Sequence, residues 1–254
     1  WGHPQLVALE EQLLAPLFGD QPEELANKSA GELEARLTRE PRYTELFRAA
    51  YPDEEQPIVL HNVQRALAAF QRTLISGDSA FDRFQRGDEG ALSASAQRGM
   101  RLVTTGEDAR FKCHRCHGTI FFTDHATWEG RAQQAQPYHQ TGLYNLDGNG
   151  AYPVPNTGTH EVSGHVEDMG MFKAPTLRNI ALTAPYMHDG SIGTLSAVLD
   201  HYAQGGRENV AGRTDPLLVP FSLTDGERAD ILAFLESLTD HAFVTDARFA
   251  DPWR

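Results

Sequence analysis

Little in this sequence is basic, little of it is sulfur, and nothing in it is long and apolar. Lys and Arg number 22 against 35 Asp and Glu, for a formal net charge of -13. Phosphate backbones are bound by a basic face, so no nucleic-acid partner is expected. There is no uninterrupted apolar run of about eighteen residues, so no membrane span is expected either. Repeats and low-complexity tracts are missing, as are a signal peptide and an initiating Met. The chain starts at Trp1, as a processed protein or a piece of a longer one would. Hydrophobic residues make up 40% of the chain, an ordinary share for a globular protein, and the length suits one large or two small α domains.

Cysteine occurs twice, and both copies fall in Phe111-Lys-Cys113-His-Arg-Cys116-His117-Gly118. Cys-x-x-Cys-His is the spelling at which haem c is attached. The two thiols add across the porphyrin vinyl groups, and the short peptide loop then holds His117 as the proximal iron ligand. Three other readings are weaker. A thioredoxin-like pair needs an apolar strand before it, and this context is polar. A zinc site would crowd Cys113, His114, Cys116 and His117 into five residues, against tetrahedral geometry. A disulfide between such close cysteines is strained. Haem c is attached outside the cytoplasm in bacteria, which points to the periplasm. The iron's other position has several candidates by chemistry: Met100, Met169, Met171, Met187, Tyr202 and the remaining histidines.

The rest of the chain reads as mostly α with long loops. Leu6, Leu9, Leu13 and Leu14 share a face of a helix over 6–15, and Pro16 is expected to end it in a loop carrying Glu23 and Glu24. Ser29 and Glu32 spell a capping box before a helix through Leu33 and Leu37. A short helix is expected from Tyr43 to Tyr51. Val59, Val63, Leu67, Phe70 and Leu74 form an apolar stripe on a longer one. Ser93 opens a helix through Leu102. Residues 119–170 show no sustained period and read as irregular, with Asp147 and Asn149 in a tight turn; His125, His139, His160 and His165 lie here as hydrogen-bonded or exposed residues rather than ligands. Thr194 caps a helix that Gly205-Gly206 stops. Thr224 and Glu227 form a second capping box, with Ile231, Leu232, Leu235 and Leu238 on one face behind it.

Three stretches together resemble the bacterial di-haem cytochrome c peroxidase and MauG family: Arg65 to Asp82, the haem motif, and Phe172-Lys-Ala-Pro-Thr-Leu-Arg-Asn-Ile-Ala-Leu-Thr-Ala-Pro-Tyr-Met-His-Asp-Gly190. Thr141-Gly-Leu-Tyr-Asn-Leu-Asp-Gly-Asn-Gly-Ala-Tyr-Pro153 is most similar to the MbnH-type branch. The likeness runs from near residue 1 to about 240. It implies cytochrome c-like haem domains, arranged as a remainder of the first, peroxide-haem domain with inter-domain helices (1–85), a second-haem domain (86–240) and a C-terminal tail (241–254).

Members carry two haems, each on its own Cys-x-x-Cys-His, so the resemblance implies one haem c attached here and two in the full protein. The haem that meets hydrogen peroxide is then the other one, with its segment upstream of Trp1. The resemblance assigns Glu24 to O–O cleavage, Gln12 and Pro16 to the same pocket, and Trp1 to the space between the haems. Fourteen residues after His188 it reaches Tyr202 as the second ligand of this haem. Peroxidases proper carry Met there, and MauG-like and MbnH-like members carry Tyr. Phenolate, a hard anion, stabilises oxidised iron, whereas a thioether favours reduced iron. Arg178 is implied to pair a haem propionate, as a fixed fork for a carboxylate. Thr183 and Pro185 are implied to give carbonyls to a calcium ion. The function implied is a periplasmic oxidase that uses peroxide to form a high-valent di-haem state and oxidises Trp or Tyr of a partner protein by long-range electron transfer. A detoxifying peroxidase reduced by a small cytochrome, and a one-haem electron carrier, are the alternatives.

Overall fold

Several helices in this chain open where Ser29, Ser79, Ser93, Thr194 or Thr224 takes up an otherwise unpaired backbone N–H. The computed structural model describes residues 6, 8–19, 24–25, 27–126 and 137–252. It is mostly α, and among the described residues no helix is long and apolar enough to cross a membrane. The chain divides into two compact units, Pro4–Ile75 and Ser76–Arg254.

The smaller unit holds α1 (Leu9–Gln12), α2 (Leu14–Phe18), α3 (Ala30–Thr38), α4 (Pro41–Ala50) and α5 (Leu60–Thr73). Leu13, Leu17, Leu33, Phe47, Val63 and Ala68 form its core. Four local expectations change here. Pro16 sits inside α2 instead of ending a helix, because a proline in the first turn lacks an N–H that would have no intrahelical partner anyway. Leu13 is buried, whereas Leu14 is exposed, and the segment forms two short helices, so the expected single stripe is split. The Ser29 box is half made: Ser29 accepts from the Glu32 N–H, while the Glu32 carboxylate takes the N–H of Lys28 at 2.9 Å. On α5 the stripe is buried at Val63, but Phe70 and Leu74 stay exposed.

The larger unit holds α6 (Ala80–Gln85), α7 (Ala94–Thr104), α8 (Cys113–Cys116), β1 (His139–Gln140), α9 (His160–Ser163), β2 (Met171–Phe172), α10 (Leu195–Ala203), α11 (Asp225–Ser237) and α12 (His241–Val244). Its core is Phe81, Val103, Phe111, Phe122, Leu199, Ile231, Phe234, Leu235 and Leu238. Phe81 places α6 with this unit. The segment 119–170 is irregular where described, apart from β1, α9 and a 3-10 turn at Val166–Asp168. β1 pairs antiparallel with β2, with His139 opposite Phe172 and Gln140 opposite Met171. The Thr224–Glu227 box forms in full. Beyond α11 the chain stays tied in, since Asp240 accepts from the N–H groups of Gly77 and Asp78 at 2.9 and 2.8 Å.

α7 and α11 cross at Gly99. A Cβ built there would lie 1.9 Å from the Asp230 carbonyl oxygen. Backbone meets backbone, and the crossing is locked by Asp230, which accepts from Ser95 at 2.6 Å and from both ends of the Arg98 fork at 2.7 Å. Gly99→Ala is expected to destabilise the chain by about 1–3 kcal/mol, as overpacking does. Gly226→Ala, at a helical position with open space around it, is expected to stabilise by about 0.4–1 kcal/mol. Urea unfolding of both variants checks the pair. An unchanged midpoint for Gly99→Ala would show that the helices can separate without cost.

Candidate haem site

The haem motif forms one helical turn, α8, with His117 just past its end; the His117 N–H donates to the Cys113 carbonyl at 2.8 Å. Both cysteines are free thiols, and burial pushes the Cys113 thiol up to about 11, with the neighbouring Cys116 adding to the effect. His117 Nδ1 lies 3.0 Å from the Phe122 carbonyl. A carbonyl only accepts, so Nδ1 carries the proton and Nε2 is the lone-pair nitrogen, the form a metal takes. Burial holds the imidazole's proton affinity below the usual histidine value, which keeps the ring neutral.

The turn that delivers this carbonyl is strained and heavily braced. Thr119 and Phe122 both have positive φ, 65° and 52°. Arg178 donates to the Ile120 carbonyl at 3.1 Å from Nε and 2.8 Å from Nη2. Thr176 donates to the Phe121 carbonyl, and Thr123 donates to the Ala174 carbonyl at 2.7 Å. Arg178 also grips Asp82 with two bonds of 2.8 Å. Burial would raise the Asp82 carboxyl, but Arg178 and Ser79 outweigh it and hold it low. Thus the three stretches that carried the family resemblance meet at one loop. Arg178 spends its fork on Asp82 and Ile120, leaving one Nη1 hydrogen for a propionate.

Tyr202 lies on α10, and among the described residues no hydrogen bond claims its hydroxyl. Burial raises its ionisation well above the usual range, with the nearby Cys116 and Cys113 thiols and Tyr152 adding to it. The neighbouring His201 is spent on both nitrogens: Nε2 donates to the Thr141 carbonyl at 2.9 Å and Nδ1 accepts from the Arg207 N–H at 3.2 Å. His188 stacks on Phe172 with ring centroids 3.9 Å apart, and its buried Nε2 has no partner among the described residues. Met169 and Met187 pack against the Leu143, Tyr152, Tyr186 and Ile192 cluster. A free imidazole nitrogen, two free thiols and an unclaimed shielded phenol suit a covalently held porphyrin.

Beside this site lies a feature that no local pattern announced. His139 sits between two carboxylates, with Nδ1 2.6 Å from Asp215 and Nε2 2.7 Å from Asp124. Burial alone would lower its pKa; the two hydrogen-bonded carboxylates reverse that and raise it to about 12. Cys116 Sγ is 3.7 Å away, and the ligand atoms of Cys116, Asp124 and His139 all lie within 4.8 Å of one another. His139 is therefore a hydrogen-bonded histidine, as its sequence position suggested, but a cationic one. Asp147 closes the expected turn by accepting from the N–H groups of Asn149 and Ala151 at 2.8 and 3.0 Å.

The remaining expected residues lie elsewhere. Gln12 and Glu24 are exposed in the smaller unit, and Pro16 lies in α2. No side-chain hydrogen bond joins Gln12 to Glu24 among the described residues. Trp1 lies outside the described residues. Thr183 and Pro185 are exposed, and neither carbonyl accepts a hydrogen bond among the described residues.

A family model described as di-haem cytochrome c peroxidase matches residues 4–90. The methylamine utilization protein MauG of Methylorubrum extorquens is 38% identical over 233 residues, 91% of this chain and 58% of that protein. Cytochrome c peroxidase Ccp of Escherichia coli is 33% identical over 91% of this chain and 43% of its own length. This chain thus spans about half the length of these two relatives. The crystal structure of a MauG-like protein associated with microbial copper homeostasis is similar over all of this chain and 75% of that one, at 42% identity and a TM-score of 0.90.

The His139 clamp generates a pH dependence. Its folded pKa is raised above the unfolded value of about 6.5, so its stabilisation is complete below that pH and is lost as pH rises through about 12. Between pH 7 and 10 the stability of the wild type should fall relative to His139→Gln by up to about 1.4 kcal/mol per pH unit. Urea unfolding across that range checks it; a gap independent of pH would mean that His139 is neutral in the fold.

Proposed function

The chain belongs to the di-haem cytochrome c peroxidase family that includes MauG, and on that premise we propose that it carries one haem of a two-haem, peroxide-using oxidase of the MauG and MbnH type. One observation carries the reading. The motif imidazole presents a lone-pair Nε2, and Tyr202, half-buried with no hydroxyl partner among the described residues, lies within electrostatic reach of the same two cysteines. A c-type haem bound here supplies reversible storage of an electron vacancy. Cys113 and Cys116 would give it thioether bonds, and His117 Nε2 and the Tyr202 phenolate would be its protein ligands. Burial makes the Tyr202 phenol hard to ionise by itself, and a ferric cation is the kind of neighbour that reverses this. A phenolate then holds the iron oxidised, unlike the thioether of an electron-accepting cytochrome.

In this reading hydrogen peroxide is cleaved at the other haem of the pair. Glu24 moves the proton, Gln12 and Pro16 shape that pocket, and Trp1 lies between the haems. Arg178 braces the loop under His117 and offers its remaining N–H to a propionate. Thr183 and Pro185 offer unclaimed carbonyls to calcium. The electrons come from a Trp or Tyr of a docked partner protein in the periplasm, where haem c is attached. The likeness to the E. coli peroxidase favours a second reading, peroxide removal with electrons from a small cytochrome.

Tyr202→Phe in the full-length holoprotein is expected to change the ferric absorption spectrum and remove the long-lived oxidised state after peroxide, with haem content by pyridine haemochrome unchanged at two. An unaltered spectrum would sink the ligand assignment. One haem per full-length chain, together with inertness to peroxide, would leave only an electron carrier. Mass spectrometry of candidate partners after peroxide separates the two enzyme readings: added oxygen on an aromatic residue marks the oxidase.

A further inference from the structure

Next to the candidate haem site stands a group of aromatic rings that the reading above does not use. Tyr152 is buried, and its ring centroid lies 5.5 Å from that of Tyr144, edge to face. Its hydroxyl accepts from the Leu143 N–H at 3.0 Å. A Cβ on Gly170 would come within 2.3 Å of the Tyr152 ring, so only glycine lets the backbone lie against it. Tyr144 is half-buried, and its hydroxyl donates to the Asp189 carboxylate. Asp189 Oδ1 in turn accepts from the Ser191 N–H at 3.0 Å.

We propose that Tyr144, with Asp189 as its proton acceptor, is a redox-active tyrosine that relays electrons from the protein surface to the haem held by His117 and Tyr202, through Tyr152. The proposal rests on the reading above for its oxidant, the peroxide-oxidised haem pair.

A phenol gives up an electron readily only if its proton has somewhere to go, because the oxidised phenol is a strong acid. Within this cluster Tyr186 donates to the Ile180 carbonyl, which cannot hold a proton, and Tyr152 is held by the Leu143 N–H, itself a donor. Tyr144 has a carboxylate. In the relay step one electron leaves the Tyr144 ring and reduces the oxidised haem pair by one equivalent. The phenolic proton crosses to Asp189, leaving a neutral phenoxyl radical beside a neutral carboxylic acid. An aromatic side chain of a docked partner then returns one electron to Tyr144, and the proton goes back from Asp189.

The route inward is continuous. Leu143, whose N–H donates to the Tyr152 hydroxyl, lies two residues from Thr141, whose carbonyl accepts from His201 Nε2, and the His201 ring lies 5.3 Å from the Tyr202 ring. Tyr152 is also close enough to Tyr202 for its charge to oppose ionisation there. A Tyr144 that merely packed would keep its role without the hydroxyl. An Asp189 that merely closed its turn would keep its role as asparagine. Tyr144→Phe and Asp189→Asn therefore separate structure from relay.

The full-length holoprotein is tested with two oxidants. Peroxide loads the haem pair, and a flash-quenched tris(bipyridine)ruthenium complex removes single electrons without any peroxide chemistry. Electron paramagnetic resonance reads the tyrosyl radical, and optical spectra read the haems. The wild type is expected to show a tyrosyl radical with both oxidants. Tyr144→Phe should lose it about tenfold or more and should prolong the oxidised haem state. Asp189→Asn should slow radical formation by about 10²-fold, the scale of a lost positioned base, and should abolish its solvent deuterium effect. A radical of wild-type yield in Tyr144→Phe, or unchanged kinetics in Asp189→Asn, overturns the proposal. No reaction with peroxide, beside a Tyr144 radical after the flash, overturns the peroxide reading and leaves the redox-active tyrosine standing.

Discussion

The bond between His117 Nδ1 and the Phe122 carbonyl ties the chemistry of this chain to its core. Phe122 has its backbone in the left-handed region, which costs a bulky residue about 1–3 kcal/mol. Its ring is almost fully buried, edge-on to Phe81 and Phe234 at 5.1 and 5.9 Å. Burying a phenylalanine is worth about 1.5–3 kcal/mol, the same size as the strain. The turn therefore persists because its side chain is anchored, and the anchored turn fixes which histidine nitrogen is protonated. Packing sets the tautomer. The chain of dependence runs outward from there, since Phe234 is carried by α11, and α11 is held by the Gly99 crossing.

A second layer of bracing is electrostatic. The Asp82–Arg178 pair is largely buried on both sides and ties α6 to the loop through the Ile120 carbonyl. Breaking such a pair leaves one charge stranded, which is worse than never having built it. The His139 clamp follows the same rule with the signs placed differently, one cation between two anions. Beside the attachment cysteines one buried cation faces two largely shielded carboxylates, so the group keeps the negative sign of the chain as a whole. The charge on His139 offsets the cost of holding both carboxylates away from water.

How much of this was legible in the sequence depended on how far apart the interacting residues lie. The haem motif and the Thr224–Glu227 box are local chemistry and could be read directly. The Ser29–Glu32 box was half right because the carboxylate had a second N–H, that of Lys28, within reach. The helical stripe gave Ile231, Leu235 and Leu238 but left out Phe234, which is fully buried. Leu14 and Pro16 were misplaced because a second short helix starts at Leu14 and takes Pro16 into its first turn, and periodicity cannot resolve that. His139 could not be read as a cation. Its carboxylates come from 15 and 76 residues away, and no pattern in the intervening sequence links them.

Two tyrosines of the larger unit show how environment divides one chemical group between two roles. Tyr202 is shielded from water and has no hydroxyl partner among the described residues, so nothing nearby can take its proton or stabilise its anion. Only a cation brought to it makes phenolate favourable, which is what a ligand to oxidised iron requires. Tyr144 is half-buried and bonded to a carboxylate, which opposes the phenolate and keeps the phenol protonated at rest. The same carboxylate becomes the natural proton acceptor once the ring has lost an electron. Burial without a base suits a fixed anion, and a base without deep burial suits a reversible oxidation. Tyr152 is also buried without a base, but the Leu143 N–H takes up its hydroxyl and no carboxylate binds it. It can pass an electron between the other two but has no means to hold the vacancy, which is the property wanted of a bridge.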